Sequence, residues 1–305
     1  MAILDVSGLT MSFADKKLYE DASFQLERGE HMGVVGQNGA GKSTLIKILI
    51  GKELPVDGQI KWQKNTKIGY LDQYVDIPHG MTLIEFLHTA FADLYRINEQ
   101  MNRLYADYAS KMEDDLLTKA GRLQEKLDAN HFYDIETEIE RVMSGLGLNE
   151  IGKDHVVSEM SGGQRSKIIL AKMLLEKPDV ILLDEPTNYL DTAHIEWLID
   201  YLNSFDGAAM IISHDYDFLE RVTNSIVDVA FGKITKYRGS FKQAMRQKKE
   251  RKETQQREYE KQQEEIEKAE RFIRKNKAGS KSNLAKSREK MLARMERIDP
   301  PTDNL

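Results

Sequence analysis

Residues 36–44 read Gly36, Gln37, Asn38, Gly39, Ala40, Gly41, Lys42, Ser43, Thr44, and they lie between an apolar run at 32–35 and a helix-forming run that starts at Lys42. Strand, glycine-rich loop and helix in that order constrain the fold more than any other stretch, because they open a βαβ unit and so an α/β domain. The glycines let backbone N–H groups converge at the helix N-terminus, where unpaired donors and the helix dipole favour an anion. In that setting Lys42 reaches the β- and γ-phosphates of a nucleoside triphosphate, and Ser43 offers its hydroxyl to Mg²⁺.

The downstream pattern agrees with a parallel sheet. A helical run over 163–176, an apolar strand over 180–183, a helix over 192–205 and a strand over 209–212 alternate, with Pro178 at the first helix-to-strand junction. The strand at 180–183 ends in Asp184 and Glu185. Asp184 suits the Mg²⁺ shell, and Glu185 can orient or deprotonate an attacking water. Residues 1–75 hold short β-type runs at 3–6, 32–35 and 67–71, which predict a small sheet. Residues 83–146 are proline-free and place Leu94, Ile97, Met101 and Leu104 at helical spacing.

Composition removes several classes. The 305 residues contain no cysteine, which excludes disulfides and thiolate metal sites and is compatible with a reducing cytoplasm. No apolar run approaches the ~18 residues of a membrane helix. The N-terminus carries Asp5 and no basic n-region, so it reads as a first strand and not a secretory signal.

Residues 160–164, Met-Ser-Gly-Gly-Gln, resemble the Leu-Ser-Gly-Gly-Gln signature of the ABC ATPases, with Met160 as a departure. The resemblance implies a P-loop NTPase fold with an ABC-type nucleotide-binding domain, a helical subdomain and an inserted helical arm, followed by an α-helical hairpin. It implies that Gln73 senses Mg²⁺ and γ-phosphate, that Asn188, Tyr189, Leu190 and Asp191 form the D-loop, and that His214 is the switch histidine. Phe13 would stack on adenine, although a core role for it stays open. Ser161, Gly163 and Gln164 would bind ATP held by an opposing domain. One phosphate loop and one signature therefore make half of a machine, completed by a second ABC domain or by homodimerisation. The implied cofactors are ATP and Mg²⁺.

The C-terminal part differs in charge. Residues 240–298 hold 19 Lys+Arg against 10 Asp+Glu, while the rest of the chain holds 25 against 40. Between 271 and 288 lie Arg271, Arg274, Lys275, Lys277, Lys281, Lys286 and Arg288 with no acidic residue. A basic appendage on an acidic body points to a polyanion. Helix-favouring residues fill 242–275, residues 276–283 break the helix, and a second helix is expected to about Ile298, ahead of Pro300-Pro301. Apolar positions are too sparse (Tyr259, Ile266, Phe272, Ile273) for a heptad seam, and Phe272 is the sole aromatic near the tip.

Asp-Glu-Pro-Thr-Asn-Tyr-Leu-Asp (184–191), the long interval from Gln73 to Ser161 and the basic hairpin are together similar to the ABC-F branch, soluble twin-ATPase proteins acting on ribosomes. The implied organisation is an ATPase domain over 1–238 with an arm at about 93–140, a linker over 239–298, and the start of a connection to a second ABC domain over 299–305. The implied activity is ATP hydrolysis by a translation factor whose linker meets rRNA and tRNA. Two other readings stay open: the cytosolic ATP-binding subunit of an ABC transporter, or an isolated half that binds ATP without turnover. The arm, with 12 acidic and 6 basic residues over 93–140, does not suit RNA.

Overall fold

The computed structural model describes residues 1–13, 16–71, 77–278 and 281–300. Two compact units divide at residue 241. The first runs β1 (Ala2–Phe13), β2 (Lys16–Glu27), β3 (His31–Val35), α1 (Lys42–Leu49), β4 (Asp57–Trp62), β5 (Ile68–Tyr70), α2 (Leu83–His88), α3 (Ala92–Lys111), α4 (Asp114–Ala129) and α5 (Ile135–Gly145). It continues through α6 (Gly162–Leu175), β6 (Val180–Asp184), α7 (Thr192–Ser204), β7 (Ala208–Ile212), α8 (Tyr216–Val222), β8 (Ser225–Ala230) and β9 (Lys233–Arg238). Helices α9 (Phe241–Asn276) and α10 (Ser282–Arg294) follow.

The expected small sheet over 1–75 divides in two. Strands β2, β1 and β4 form an antiparallel sheet in that order, whereas β3 and β5 join the larger sheet β5-β6-β7-β3-β8-β9. The cause is burial. Strand β4 alternates between more and less exposed residues, as a strand wet on one face does. All five residues of β3 are buried, the state of a central parallel strand covered on both faces. Strands β5, β6, β7, β3 and β8 run parallel, and β9 returns antiparallel to β8. This order brings the C-terminal ends of β3, β6 and β7 side by side, where an open α/β sheet presents its ligand crevice.

One core joins the sheets, with Leu4, Leu26, Met32, Val34, Leu45, Ile46, Val180 and Leu182 almost fully inaccessible. Helices α3 and α4 carry a small core of their own, in which Met101, Ala120 and Leu127 are ringed by Leu94, Ile97, Leu104, Leu123 and Phe132. The apolar spacing that predicted this helix is the seam of the pair.

In the second unit, α9 extends for 36 residues, roughly 50 Å at 1.5 Å per residue. Ile266 and Ala269 of α9 and Ala285 of α10 are buried. The expectation of a second helix to Ile298 is corrected: α10 ends at Arg294. Beyond it, Gln262 donates from Nε2 to the Glu296 carbonyl (2.8 Å) and accepts from the Ile298 N–H at Oε1 (2.9 Å). Gln255 donates to the Asp299 carbonyl (3.1 Å). Proline at 300 disfavours helix in the residue before it, and the glutamine amides satisfy the backbone that thereby leaves the helix. Near the turn, the Arg288 guanidinium stands 3.8 Å over the Phe272 ring. Phe272 is thus engaged inside the hairpin, with one face of its ring covered by Arg288.

Candidate nucleotide site

The phosphate loop leaves β3 and enters α1 with Gly36 at φ 151° and Gly41 at φ 103°. A Cβ on Gly36 would stand 2.3 Å from the Val229 carbonyl oxygen of β8, so strand and loop pack backbone to backbone there. Gly36→Ala is expected to lower stability by about 1–3 kcal/mol and to abolish triphosphate binding. Chemical denaturation and nucleotide titration would check both, and an unshifted midpoint would contradict the packing argument.

Lys42, first residue of α1, is 8% exposed. Its ammonium donates to the carbonyls of Gly36 (2.7 Å) and Gln37 (3.0 Å). Burial lowers its pKa, and the nearby charges of Glu185 and Asp184 oppose that shift. Those interactions tie the loop lysine to the acidic end of β6. Glu185 lies beyond that strand in a left-handed conformation, φ 49°, which is uncommon for a non-glycine residue. Its N–H donates to the Ile212 carbonyl at the end of β7 (2.9 Å).

The carboxylate of Glu185 faces His214. Oε2 accepts from the His214 backbone N–H (3.3 Å), and Oε1 lies 3.5 Å from Nε2 of the same residue. At that distance Oε1 makes no proper hydrogen bond, and it is a buried oxygen without a hydrogen-bond partner among the described residues. An unpaired buried carboxylate oxygen is costly, and it is chemically able to accept a proton from a water.

Burial raises the pKa of Glu185 above the ordinary 4.5, Asp184 adds to the rise, and His214 and Lys42 oppose it. Two results follow in direction. A reaction that needs ionised Glu185 has an acid limb above pH 4.5, measurable as a pH–rate profile. Because the folded-state pKa exceeds the unfolded one, the folded form binds the extra proton between the two values. Stability is therefore lost as pH rises through the folded value. Glu185→Gln should raise the melting temperature near neutral pH, with the difference closing below pH 4.5. A lower neutral-pH melting temperature for the variant would contradict this.

Ser43, in the first turn of α1, is exposed, and Asp184 is half-buried. Both supply hard oxygen donors of the kind Mg²⁺ accepts together with waters and phosphate, so the donor set fits the ion. Among the described residues no cluster of three His, Asp or Glu side chains could hold a metal by itself.

Ser161 caps α6. Its hydroxyl accepts from the Gln164 N–H (3.3 Å), and Gln164 Oε1 accepts from the Ser161 N–H (3.0 Å). This capping box holds the start of α6 with its first N–H groups at an exposed helix end. Gly163 packs beneath Tyr189, whose ring stands 3.1 Å from a Cβ position on that glycine. A pocket between α6 and the segment after β6 is lined by Ser166, Lys167, Asp184, Glu185, Asn188 and Tyr189. Asp191 caps α7 by accepting from the His194 N–H (3.0 Å).

The structure brings the loop, Lys42, Asp184, Glu185 and His214 into one site. Of Ser161, Gly163 and Gln164, Gly163 meets the site through Tyr189, which lines the pocket beside Asp184 and Glu185. Phe13 is 47% exposed at the end of β1, so it is not a core residue. Gln73 lies outside the described residues. The seven basic residues of the hairpin belong to the second unit, where all are exposed. One neighbour of the loop escaped sequence reasoning: Lys16 donates to the Gly39 carbonyl (2.9 Å), and no motif marks it.

The ABC transporter family profile matches residues 19–188. The chain belongs to this ABC family of ATP-binding proteins. A second ABC transporter profile, for an extension segment, matches residues 227–305. Among relatives of this ABC chain, the ATP-binding protein YfmM of Bacillus subtilis is 44% identical, over 80% of the chain and 48% of its own length. ABC transporter F family member 5 of Arabidopsis thaliana is 34% identical over 82% and 37%. The energy-dependent translational throttle protein EttA of Escherichia coli K12 is 33% identical over 77% and 42%. The ABC-F resemblance read from the motifs is borne out by these relatives. The ABC chain spans about half the length of YfmM and less of the others. A solved ATP-binding subunit of an ABC transporter shares the fold, with TM-score 0.57 and 23% identity over 80% of this chain and 92% of that one. No helix among the described residues is long and apolar enough to cross a membrane.

Proposed function

We propose that the chain is the ATP-hydrolysing half of an ABC-F translation factor that acts on the ribosome. In this assignment residues 1–238 are the ATPase domain, 239–298 the linker, and 299–305 the start of a connection to a second ABC domain. The observation that supports catalysis best is the Glu185–His214 arrangement, a buried carboxylate oxygen held without a hydrogen bond beside the phosphate-loop lysine. Glu185 takes the proton of the attacking water and His214 positions both that carboxylate and the γ-phosphate. Lys42 and the loop amides bind the phosphates, while Phe13 shelves the adenine. Ser43, Gln73 and Asp184 hold Mg²⁺, which when bound neutralises charge on the phosphates.

Ser161, Gly163 and Gln164 serve the ATP of the opposing domain. Their exposed helix start is an anion site that needs a facing partner, either a second ABC domain or a second copy. Support for the ribosome comes from two directions. EttA, by its name, controls translation, and the cations of the hairpin suit the phosphates of rRNA and tRNA. ATP can hold the protein on the ribosome only through a difference in affinity between closed and open domain pairs. Sedimentation of the two-domain protein with ribosomes, in ATP and in ADP, tests this. ATP-dependent enrichment in the ribosome fraction is expected. Its absence, or co-purification with a membrane subunit in its place, would sink the proposal.

A further inference from the structure

Lys16 opens β2 directly across from Phe13, its register partner in β1. Its ammonium donates to the Gly39 carbonyl at 2.9 Å, and Nζ lies 3.4 Å from where a Cβ on that glycine would be. The two lysines of the site therefore hold different parts of one loop. Lys42 takes the carbonyls of Gly36 and Gln37 and is buried. Lys16 takes Gly39 and is exposed. An ammonium has three N–H donors, and Gly39 uses one.

Gly39 lies in the loop whose amides suit phosphate, while Phe13 is an exposed ring one cross-strand step from Lys16. A nucleotide that rests its base on one and its phosphates on the other passes its ribose–phosphate junction by the residue touching both. We propose that Lys16 is a nucleotide-contacting residue, whose ammonium binds an oxygen of the α-phosphate beside Gly39 and ties the phosphate loop to the strand bearing Phe13. This rests on the nucleotide reading of the site.

Calorimetric titration of the chain with ATP, ADP and adenosine separates a phosphate contact from a staple that only steadies the loop. Lys16→Gln retains an N–H donor for the Gly39 carbonyl but removes the charge. It should weaken ATP and ADP binding about tenfold, flatten the salt dependence of both, and leave adenosine unchanged, while Lys16→Arg should bind like wild type. Wild-type affinity in Lys16→Gln overturns the proposal and leaves the nucleotide reading standing. An equal loss for all three ligands also overturns it, since a disturbed loop or shelf produces that pattern. Failure of the unaltered chain to bind ATP would remove the nucleotide reading and this contact together.

Discussion

Glu185→Gln is expected to slow ATP hydrolysis by about 10²–10⁴-fold, the range for loss of a positioned general base. Nucleotide affinity should change little. The amide keeps the shape of the side chain, and Lys42 retains its bonds to the loop carbonyls. The amide cannot take a proton from water, so the ATP-bound pair of domains accumulates. Single-turnover hydrolysis would give the rate, and ribosome sedimentation of the two-domain variant would show retention in ATP alone, without a non-hydrolysable analogue. A variant that hydrolyses within a fewfold of wild type would displace Glu185 from the base role. His214→Ala separates the positioning group from the base. It removes the imidazole near Oε1 and leaves the backbone N–H bonded to Oε2, so turnover should fall while the rise in melting temperature expected for Glu185→Gln should not appear.

Much of this site was legible because its parts are local in sequence. The loop at 36–44 carries its own strand and helix, and the apolar run at 180–183 ends at its acids with no need of tertiary context. The place of His214 in the site depended on family resemblance, and its contact with Glu185 was not read at all, since 29 residues separate them and the adjacency of β6 and β7 brings them together. Lys16 was invisible for a related reason: its role comes from an antiparallel pairing that folds it back on Phe13 and then onto Gly39, 23 residues away. Strands β2, β4, β8 and β9 were missed because strands of mixed polarity depend on neighbours more than on propensity. In the hairpin, helix propensity carried the reading as far as Arg294. Past that point a side-chain amide, Gln262, substitutes for a helical hydrogen bond, and no periodicity announces such a substitution.

Neutralising the hairpin cations is expected to be the most damaging change to RNA association. The structure sorts the seven residues. Arg271 pairs with Glu267 (3.5 Å) and Arg288 covers Phe272 (3.8 Å), whereas the side chains of Arg274, Lys275, Lys277, Lys281 and Lys286 are exposed and enter no hydrogen bond or ion pair among the described residues. Five unpaired cations engaging five phosphates give a slope of about −4 in log affinity against log salt. Substituting all five by Gln should bring the slope near zero and cost about 10³-fold in affinity at physiological salt. The fold should tolerate this, because none of the five side chains has a partner to lose among the described residues. Arg288→Gln should behave differently. It leaves the slope almost intact and destabilises the hairpin by about 0.5–1 kcal/mol through loss of the ring contact. Filter binding to structured RNA across a salt series, with ribosome occupancy of the two-domain protein measured in parallel, distinguishes the two classes. An unchanged slope and undiminished occupancy in the fivefold variant would mean that the hairpin charge serves solubility, and that another surface meets the ribosome.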